Sequence, residues 1–333
     1  MVMIVTGAAG FIGSNLINAL NQRGQSRILA VDNLEKPGKF LNLADCTLAD
    51  YMDKREFIER IEHDDLDQDV EVVFHQGACS DTMEHDGRYM MENNFRYTRS
   101  LFYYCQDRGI PLIYASSAAV YGGNVEFRES PQCENPLNVY GYSKLAFDQF
   151  LRHYLVRGDL TAPCVGLRYF NVYGDREQHK GRMASVGYHF YHQYREHGRI
   201  RLFQGCDGYA HGEQRRDFIS VEDVVRVNLW LLEHPEVSGI FNVGTGRSRT
   251  FNDMAVATIN ALRQESAHLS LEQMLTQNLI EYIPFPDALK GKYQSYTEAD
   301  MSQLRAAGYT APFLDVNEGV ARYMTQLRAR TPL

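Results

Sequence analysis

The sequence predicts a doubly wound α/β fold, a parallel sheet with helices on both faces, joined by a smaller α/β domain built from separate segments. Two observations predict the sheet. Apolar runs recur at "MIVTG", "ILAVD", "VEVVFHQGA", "PLIYASS" and "CVGLRYFNVYG", with helix-like stretches between them, and buried runs of this length bounded by turn residues suit parallel strands covered on both faces. The first run also leads at once into a glycine turn and an amphipathic helix, "VTGAAGFIGSNLINAL", the opening of a βαβ unit. A third observation predicts the second domain. After Tyr173 the texture turns polar and aromatic, returns to sheet-like runs at "RRDFISVEDVVRVNLWLLEH" and "GIFNVGTG", and leaves again. The expected division is therefore 1–172 with a returning segment at about 214–244 for the sheet domain, and about 173–213 with 245–333 for the other.

At 333 residues, with 44% hydrophobic and 23% charged residues, the chain can bury the cores of two modest domains. A net charge of −8 argues against nucleic acid or an anionic membrane as the main partner. The start "MVMIVTGAAG" reaches a turn too soon for a signal peptide or membrane span. Six scattered cysteines, with no C-x-x-C pair and no cluster at zinc spacing, fit a reduced cytoplasmic chain without a metal site.

The elements follow in order. In the first turn, Gly7, Gly10 and Gly13 stand between strand and helix. Glycine permits the tight turn and lets backbone N–H groups approach a pyrophosphate at the positive end of the helix. The second strand ends on Asp32, following Gly13 at the spacing of about 20 residues that a Rossmann dinucleotide fingerprint requires. A carboxylate there accepts from a ribose 2′-hydroxyl and favours NAD, yet Lys36, Lys39 and Lys54 follow and can neutralise a 2′-phosphate. Physics alone leaves NAD and NADP open at this point.

The strand ending "YASSAAVYGG" places Ser116 and Ser117 at its tip, and "NPLNVYGYSKLAF" supplies Tyr140, Tyr142 and Lys144. If a helix begins near Tyr140, the Tyr140 hydroxyl and the Lys144 ammonium share a face, while Tyr142 points elsewhere into helix packing. A neighbouring cation lowers a phenol toward the working range of an acid/base group. Ser116 or Ser117 can then hydrogen-bond the substrate oxygen that Tyr140 protonates or deprotonates.

Together "GAAGFIG", "YASSAAVYGG" and "YGYSK" resemble the extended short-chain dehydrogenase/reductases that modify nucleotide sugars, over nearly the whole chain. In that family the serine immediately before "AAVYG", here Ser117, joins Tyr140 and Lys144. Longer stretches, including "VDNLEKPGKFLNL", "FHQGACSDT", "RYFNVYGDREQHKGRMAS" and "IPFPDALKGKYQSYTEADMSQLRAAGY", narrow the resemblance to the branch acting at C6″ of ADP-D-glycero-D-manno-heptose in lipopolysaccharide core synthesis. That resemblance implies one tightly bound NADP per subunit, transient oxidation to a ketone and re-reduction on the opposite face, and a homo-oligomer, often a pentamer. Because the proton must be handled on opposite sides in the two stereoisomers, one acid/base group is insufficient unless the ketone turns over. The resemblance assigns the second base to Lys180.

For the cofactor the resemblance points to Phe11 and Ile12 in the turn, Asp32, Asn33, Lys39 and Lys54, the run Gln76, Gly77, Ala78, Cys79 and Ser80, then Asn93, Lys144, Val172 and Lys180. For the sugar nucleotide it points to Asn171, Arg182 and His189, the run Phe203, Gln204, Gly205 and Cys206, and Arg216 and Tyr293. Departures stand at Gln76, Arg182 and Cys206, where the family often has Glu, Ser and Ser, and the stretches about 206–215 and 263–279 are longer than usual. Two other enzymes on this scaffold are weighed: a 4,6-dehydratase, disfavoured by Ala118 and Ala119 where an Asp-Glu pair is expected, and a 4-epimerase, which needs no Lys180. A silent NADP sensor is disfavoured by the intact tyrosine–lysine pair.

Overall fold

The computed structural model describes residues 1–263, 265, 267–286 and 294–330. The chain divides into two compact units. The first comprises Met1–Tyr169, Val224–Val243 and Ser302–Thr310; the second comprises Phe170–Asp223, Gly244–Met301 and Ala311–Leu333.

The first unit is built on seven strands: β1 (Val2–Thr6), β2 (Ile28–Asp32), β3 (Asp50–Asp53), β4 (Val70–His75), β5 (Leu112–Ser117), β6 (Cys164–Tyr169) and β7 (Gly239–Val243). They pair in the order β7-β6-β5-β4-β1-β2-β3, every pair parallel. The chain order reverses beside β1, the switch point at which doubly wound sheets bind ligands at the carboxyl ends of their strands. Helices α1 (Phe11–Gln22), α2 (Lys54–His63), α3 (Tyr97–Arg108), α4 (Val139–Arg157) and α5 (Val221–Glu233) provide the crossovers. The strands read as unbroken apolar runs because both faces are covered. Ile4, Val31, Val73 and Leu112 pack with Phe57, Leu101, Phe102 and Phe147 from the helices, each no more than 2% exposed. A π-helical turn, Met91–Arg96, immediately precedes α3.

Among the described residues, the second unit has three small strand pairs. Asn171–Tyr173 runs parallel to Phe218–Ser220, Ile200–Phe203 parallel to Ile280–Ile283, and Arg215–Arg216 antiparallel to Arg249–Thr250. Its own core gathers Tyr173, Tyr191, Met254, Val320 and Tyr323. Buried Asp217 ties its loops together, accepting from the N–H groups of Thr245 (2.7 Å), Gly246 (2.9 Å) and Ala299 (3.0 Å). The stretch 263–279 folds in part as a helix, Leu271–Thr276, started by a Ser270–Gln273 capping box and seated through buried Met274.

These bounds differ from the sequence expectation in three places. Residues 170–172 and 214–223 fall in the second unit, because Phe218–Ser220 pairs with Asn171–Tyr173 and not with the large sheet. Ser302–Thr310 falls in the first unit, where Tyr309 meets the Trp230 indole edge-on at 5.5 Å. All six cysteines are free thiols, and among the described residues no helix is long and apolar enough to cross a membrane.

Candidate functional site

The turn after β1 is closed tightly enough to exclude a side chain at Gly7 and Gly13. Gly7 has φ +64, and a Cβ on it would lie 2.7 Å from Gly77 Cα; a Cβ on Gly13 would lie 2.2 Å from the Gly7 carbonyl oxygen. That leaves bare backbone beside the first turn of α1, whose N-cap, Gly10, brings no side-chain oxygen of its own. Backbone this exposed at a helix N-terminus fits a pyrophosphate, so the residues present suit a dinucleotide. Phe11 is buried and Ile12 half-buried at the start of α1.

At the tip of β2, Asp32 is buried and accepts from Ala9 N–H (2.9 Å) and Asn33 N–H (2.7 Å). Its carboxylate is also ion-paired with the Lys39 ammonium. Lys54 donates to the Asn93 side chain at 3.0 Å, whereas Lys36 is exposed. Of the three candidate lysines, Lys39 is thus the one held on Asp32.

The run after β4 is fixed at both ends. Gln76 accepts from Tyr169 OH (3.0 Å) and donates to Asn228 (3.2 Å). Buried Asn94 brackets Cys79, accepting from its N–H (2.9 Å) and donating to its carbonyl (3.0 Å), and donates to Ser143 Oγ on α4 at 2.9 Å. Ala78 and Ser80 are exposed. Buried His75 lies between Thr6 (2.6 Å) and Thr98 (2.9 Å). Because the Thr98 hydroxyl donates to the Asn94 carbonyl, Nε2 carries the proton and Nδ1 accepts from Thr6. Burial, with a lesser push from Lys144, lowers His75 to about 3.

Tyr140, Ser117 and Lys144 meet at the tip of β5. The side chain of Asn138 caps α4, accepting from Gly141 N–H at 2.8 Å, and so starts the helix one residue before Tyr140. Tyr140 is half-buried beside Ser117; burial raises its pKa, with the Ser117 hydroxyl partly offsetting it. The expected lowering of the phenol by Lys144 is not what the surroundings of Tyr140 produce. The buried Lys144 ammonium donates instead to the Ala115 carbonyl at 2.7 Å, and burial lowers its own pKa to about 8. Ser116 points to the other side and donates to Asp148 at 2.9 Å, leaving Ser117 as the serine beside Tyr140. Tyr142 is 52% exposed, so the helix packing expected of it is not observed.

The remaining candidates fall in the second unit. Asn171 is exposed and Val172 half-buried on one short strand; Lys180 is half-buried and Arg182 exposed in the 3₁₀ turn Gln178–Met183; His189 lies half-buried on the helix Val186–His197. Glu177, 1% exposed, anchors that turn by accepting from Ser185 N–H (2.5 Å), Ser185 Oγ (2.6 Å) and Tyr323 OH (2.7 Å). Phe203 to Cys206 are half-buried at and beyond a strand end. Arg216 is buried, donates to the Arg215 carbonyl at 3.0 Å and lies over the Phe251 ring. Tyr293 lies outside the described residues. Among the described residues, no group of three or more His, Cys, Asp or Glu side chains is placed to hold a metal ion.

A turn shaped for pyrophosphate followed by a Ser-Tyr-Lys constellation at the same sheet edge agrees with the comparisons. Residues 3–244 match the NAD dependent epimerase/dehydratase family. The chain belongs to that family. As an epimerase/dehydratase member it is 62% identical, over 97% of its length and 98% of the relative's, to ADP-L-glycero-D-manno-heptose-6-epimerase of Thiobacillus denitrificans. A crystal structure of the Helicobacter pylori ADP-L-glycero-D-manno-heptose-6-epimerase superposes with a TM-score of 0.78 at 28% identity, covering 98% of this chain and 96% of that one. The Thermus thermophilus UDP-glucose 4-epimerase complex with NAD gives 0.76 at 26% identity, covering 99% and 100%. The family makes the chain an enzyme, a nucleotide-sugar epimerase that works with a nicotinamide cofactor. Features of this epimerase that escaped the sequence include the Asn94 bracket, signalled only by the Asn-Asn pair in "MENN", and the carboxylate of Asp148 behind Ser116.

Proposed function

We propose that the chain converts ADP-D-glycero-D-manno-heptose to its L-glycero epimer by inversion at C6″, using NADP, in the cytoplasmic supply of lipopolysaccharide core precursors. Support for the substrate comes from the 62% identity to a heptose epimerase along 97% of the chain. Support for NADP over NAD comes from Lys39, whose ammonium at Asp32 offsets the carboxylate that would otherwise repel a 2′-phosphate.

Gly7, Gly10 and Gly13 would hold the pyrophosphate, Asp32, Asn33 and Lys39 the adenosine ribose and its phosphate, and Lys144 the nicotinamide ribose. When bound, the nicotinamide supplies a reversible hydride acceptor for the carbon being inverted. Tyr140 takes the hydroxyl proton as C6″ is oxidised, and Ser117 holds the same oxygen. Lys180 would handle the proton of the same oxygen once the ketone has presented its other face for re-reduction. Arg216, a planar donor fork, suits the ADP diphosphate. The arrangement that supports the acid/base reading is Ser117 at the β5 tip beside Tyr140, with the buried Lys144 four residues on along α4.

Incubation with ADP-D-glycero-D-manno-heptose followed by proton NMR tests the reading, with the L-glycero epimer as the expected product. No conversion by cofactor-loaded protein requires another substrate. Interconversion of UDP-glucose and UDP-galactose in the same assay would assign a 4-epimerase. The protein is also proposed to be a homo-oligomer, and a monomer in light scattering would reject that.

A further inference from the structure

Helix α4 carries Tyr140, Lys144, Asp148 and Arg152 at intervals of four, a single stripe along one face. From Lys144 a chain of alternating charge runs through the first unit: Lys144, Asp148, Arg168, Glu134, Arg152. Asp148 and Arg168 are both 0% exposed. Three donors pin the Asp148 carboxylate, namely Tyr114 OH (2.8 Å), Ser116 Oγ (2.9 Å) and Arg168 Nε (2.8 Å). Arg168 donates onward to Tyr121 OH (3.0 Å) and Glu134 (2.5 Å), and Glu134 also receives both Nη groups of Arg152 (2.5 and 3.2 Å). Burial alone would push the Glu134 carboxyl up, but the Arg152 bonds and the Arg168 charge hold it below its ordinary range.

A buried network of this kind is seldom more stable than well-packed apolar residues of the same volume, so stability alone does not account for it. Its end nearest the site does. Lys144 is a buried cation whose direct acceptor is the neutral Ala115 carbonyl, and the carboxylate of its own stripe lies one helical turn further on. We infer that Asp148 is a positioning residue for the acid/base pair, the fixed counter-charge to Lys144 and the tie that seats α4 on β5.

The inference rests on the reading of Tyr140 and Lys144 as that pair. Burial is the main influence lowering Lys144, and Asp148 is the largest influence opposing it, ahead of Cys79. The other titratable groups acting on Lys144 are few: His75 from β4, neutral above about pH 3, and Cys79 from the loop after β4, while Tyr140 lies one turn back along α4. Arg168 and Tyr114 stand behind Asp148 and reach Lys144 through it.

The test compares the intact protein with its Asp148→Asn variant. Losing a nearby opposite charge moves a buried group by about one pH unit or more. The alkaline limb of the epimerisation profile is therefore expected to move down by about one unit. A uniform fall at every pH with the limb unmoved would mark a purely structural role and overturn the inference. Lys144 is also titrated directly by NMR of lysine-labelled protein, its signal assigned by Lys144→Arg. A lower midpoint in Asp148→Asn supports the inference and an unchanged one overturns it. Should Asp148→Asn fail to fold by circular dichroism, Asp148→Ser removes the same charge and is read in the same way. Lack of conversion by the unaltered protein, or full activity of Tyr140→Phe, would instead reject the underlying acid/base reading, because the NMR midpoint does not depend on turnover.

Discussion

Lys39→Met removes the cation that Asp32 holds at the tip of β2. The Lys39 side chain is 15% exposed and that of Asp32 3%, so the pair lies largely out of bulk water. Bonds to charged groups in such a setting contribute about 1.5–3 kcal/mol, against the few tenths typical of exposed ion pairs. If the ammonium is shared between Asp32 and a 2′-phosphate, the substitution deletes one such bond to NADP and turns a bare carboxylate toward the phosphate. The expected cost is roughly 10- to 150-fold in the NADP dissociation constant. NAD carries a hydroxyl at that position, which the released Asp32 carboxylate can accept from, so its affinity is expected to hold or improve. Protein stripped of nucleotide and titrated calorimetrically with each cofactor gives the ratio directly, and the nucleotide extracted from purified variant gives it independently. A ratio of NADP to NAD affinity within threefold of the unaltered protein would refute the role given to Lys39.

Tyr140→Phe and Lys180→Met are each expected to slow epimer interconversion by about 100-fold or more with the thermal midpoint retained; full activity of Lys180→Met would end the two-base scheme. Gly13→Val places a side chain where even a Cβ would lie 2.2 Å from the Gly7 carbonyl, so copurifying cofactor should fall sharply, and an unchanged nucleotide content would contradict the cradle. His75 titrates at about 3 in the folded chain against 6.5 unfolded, so the unfolded chain binds more protons between those values and stability is lost as pH falls through that window, by up to about 1.4 kcal/mol per pH unit. Urea midpoints from pH 6.5 to 4.5 should decline less steeply in His75→Gln; parallel slopes would show that His75 is not the group responsible.

The sheet was legible because its strands are buried on both faces and therefore spell unbroken apolar runs, each with a helix-length interval behind it. Gly7 and Gly13 were legible for a steric reason: only glycine fits where the Gly7 carbonyl and Gly77 backbone close on the turn. The pairing of Tyr140 with Lys144 followed from helical spacing, but the charge state of the phenol did not, because spacing says nothing about desolvation. Spacing also withheld the choice between Ser116 and Ser117, which depends on which hydroxyl faces Asp148. Asn94, Glu177 and Arg168 escaped notice because their partners lie on other elements, and single polar letters within an apolar or loop context announce no partner. Tyr142 was misjudged because an aromatic on a helix was equated with packing, while that helix turns it to solvent.

The first unit is stitched from three separated lengths of chain, and its edge strand β7 joins β6 only after the whole of Phe170–Asp223 has intervened. A ribosome releasing this polypeptide from its N-terminus must emit residue 310 before the first unit has all its parts, by which time most of the second has also emerged. No cut in the gene yields either unit as one uninterrupted fragment. Truncations ending near residue 170 would leave β6 as a bare sheet edge, inviting pairing with other molecules, so halves of this protein are expected to aggregate where the intact chain folds.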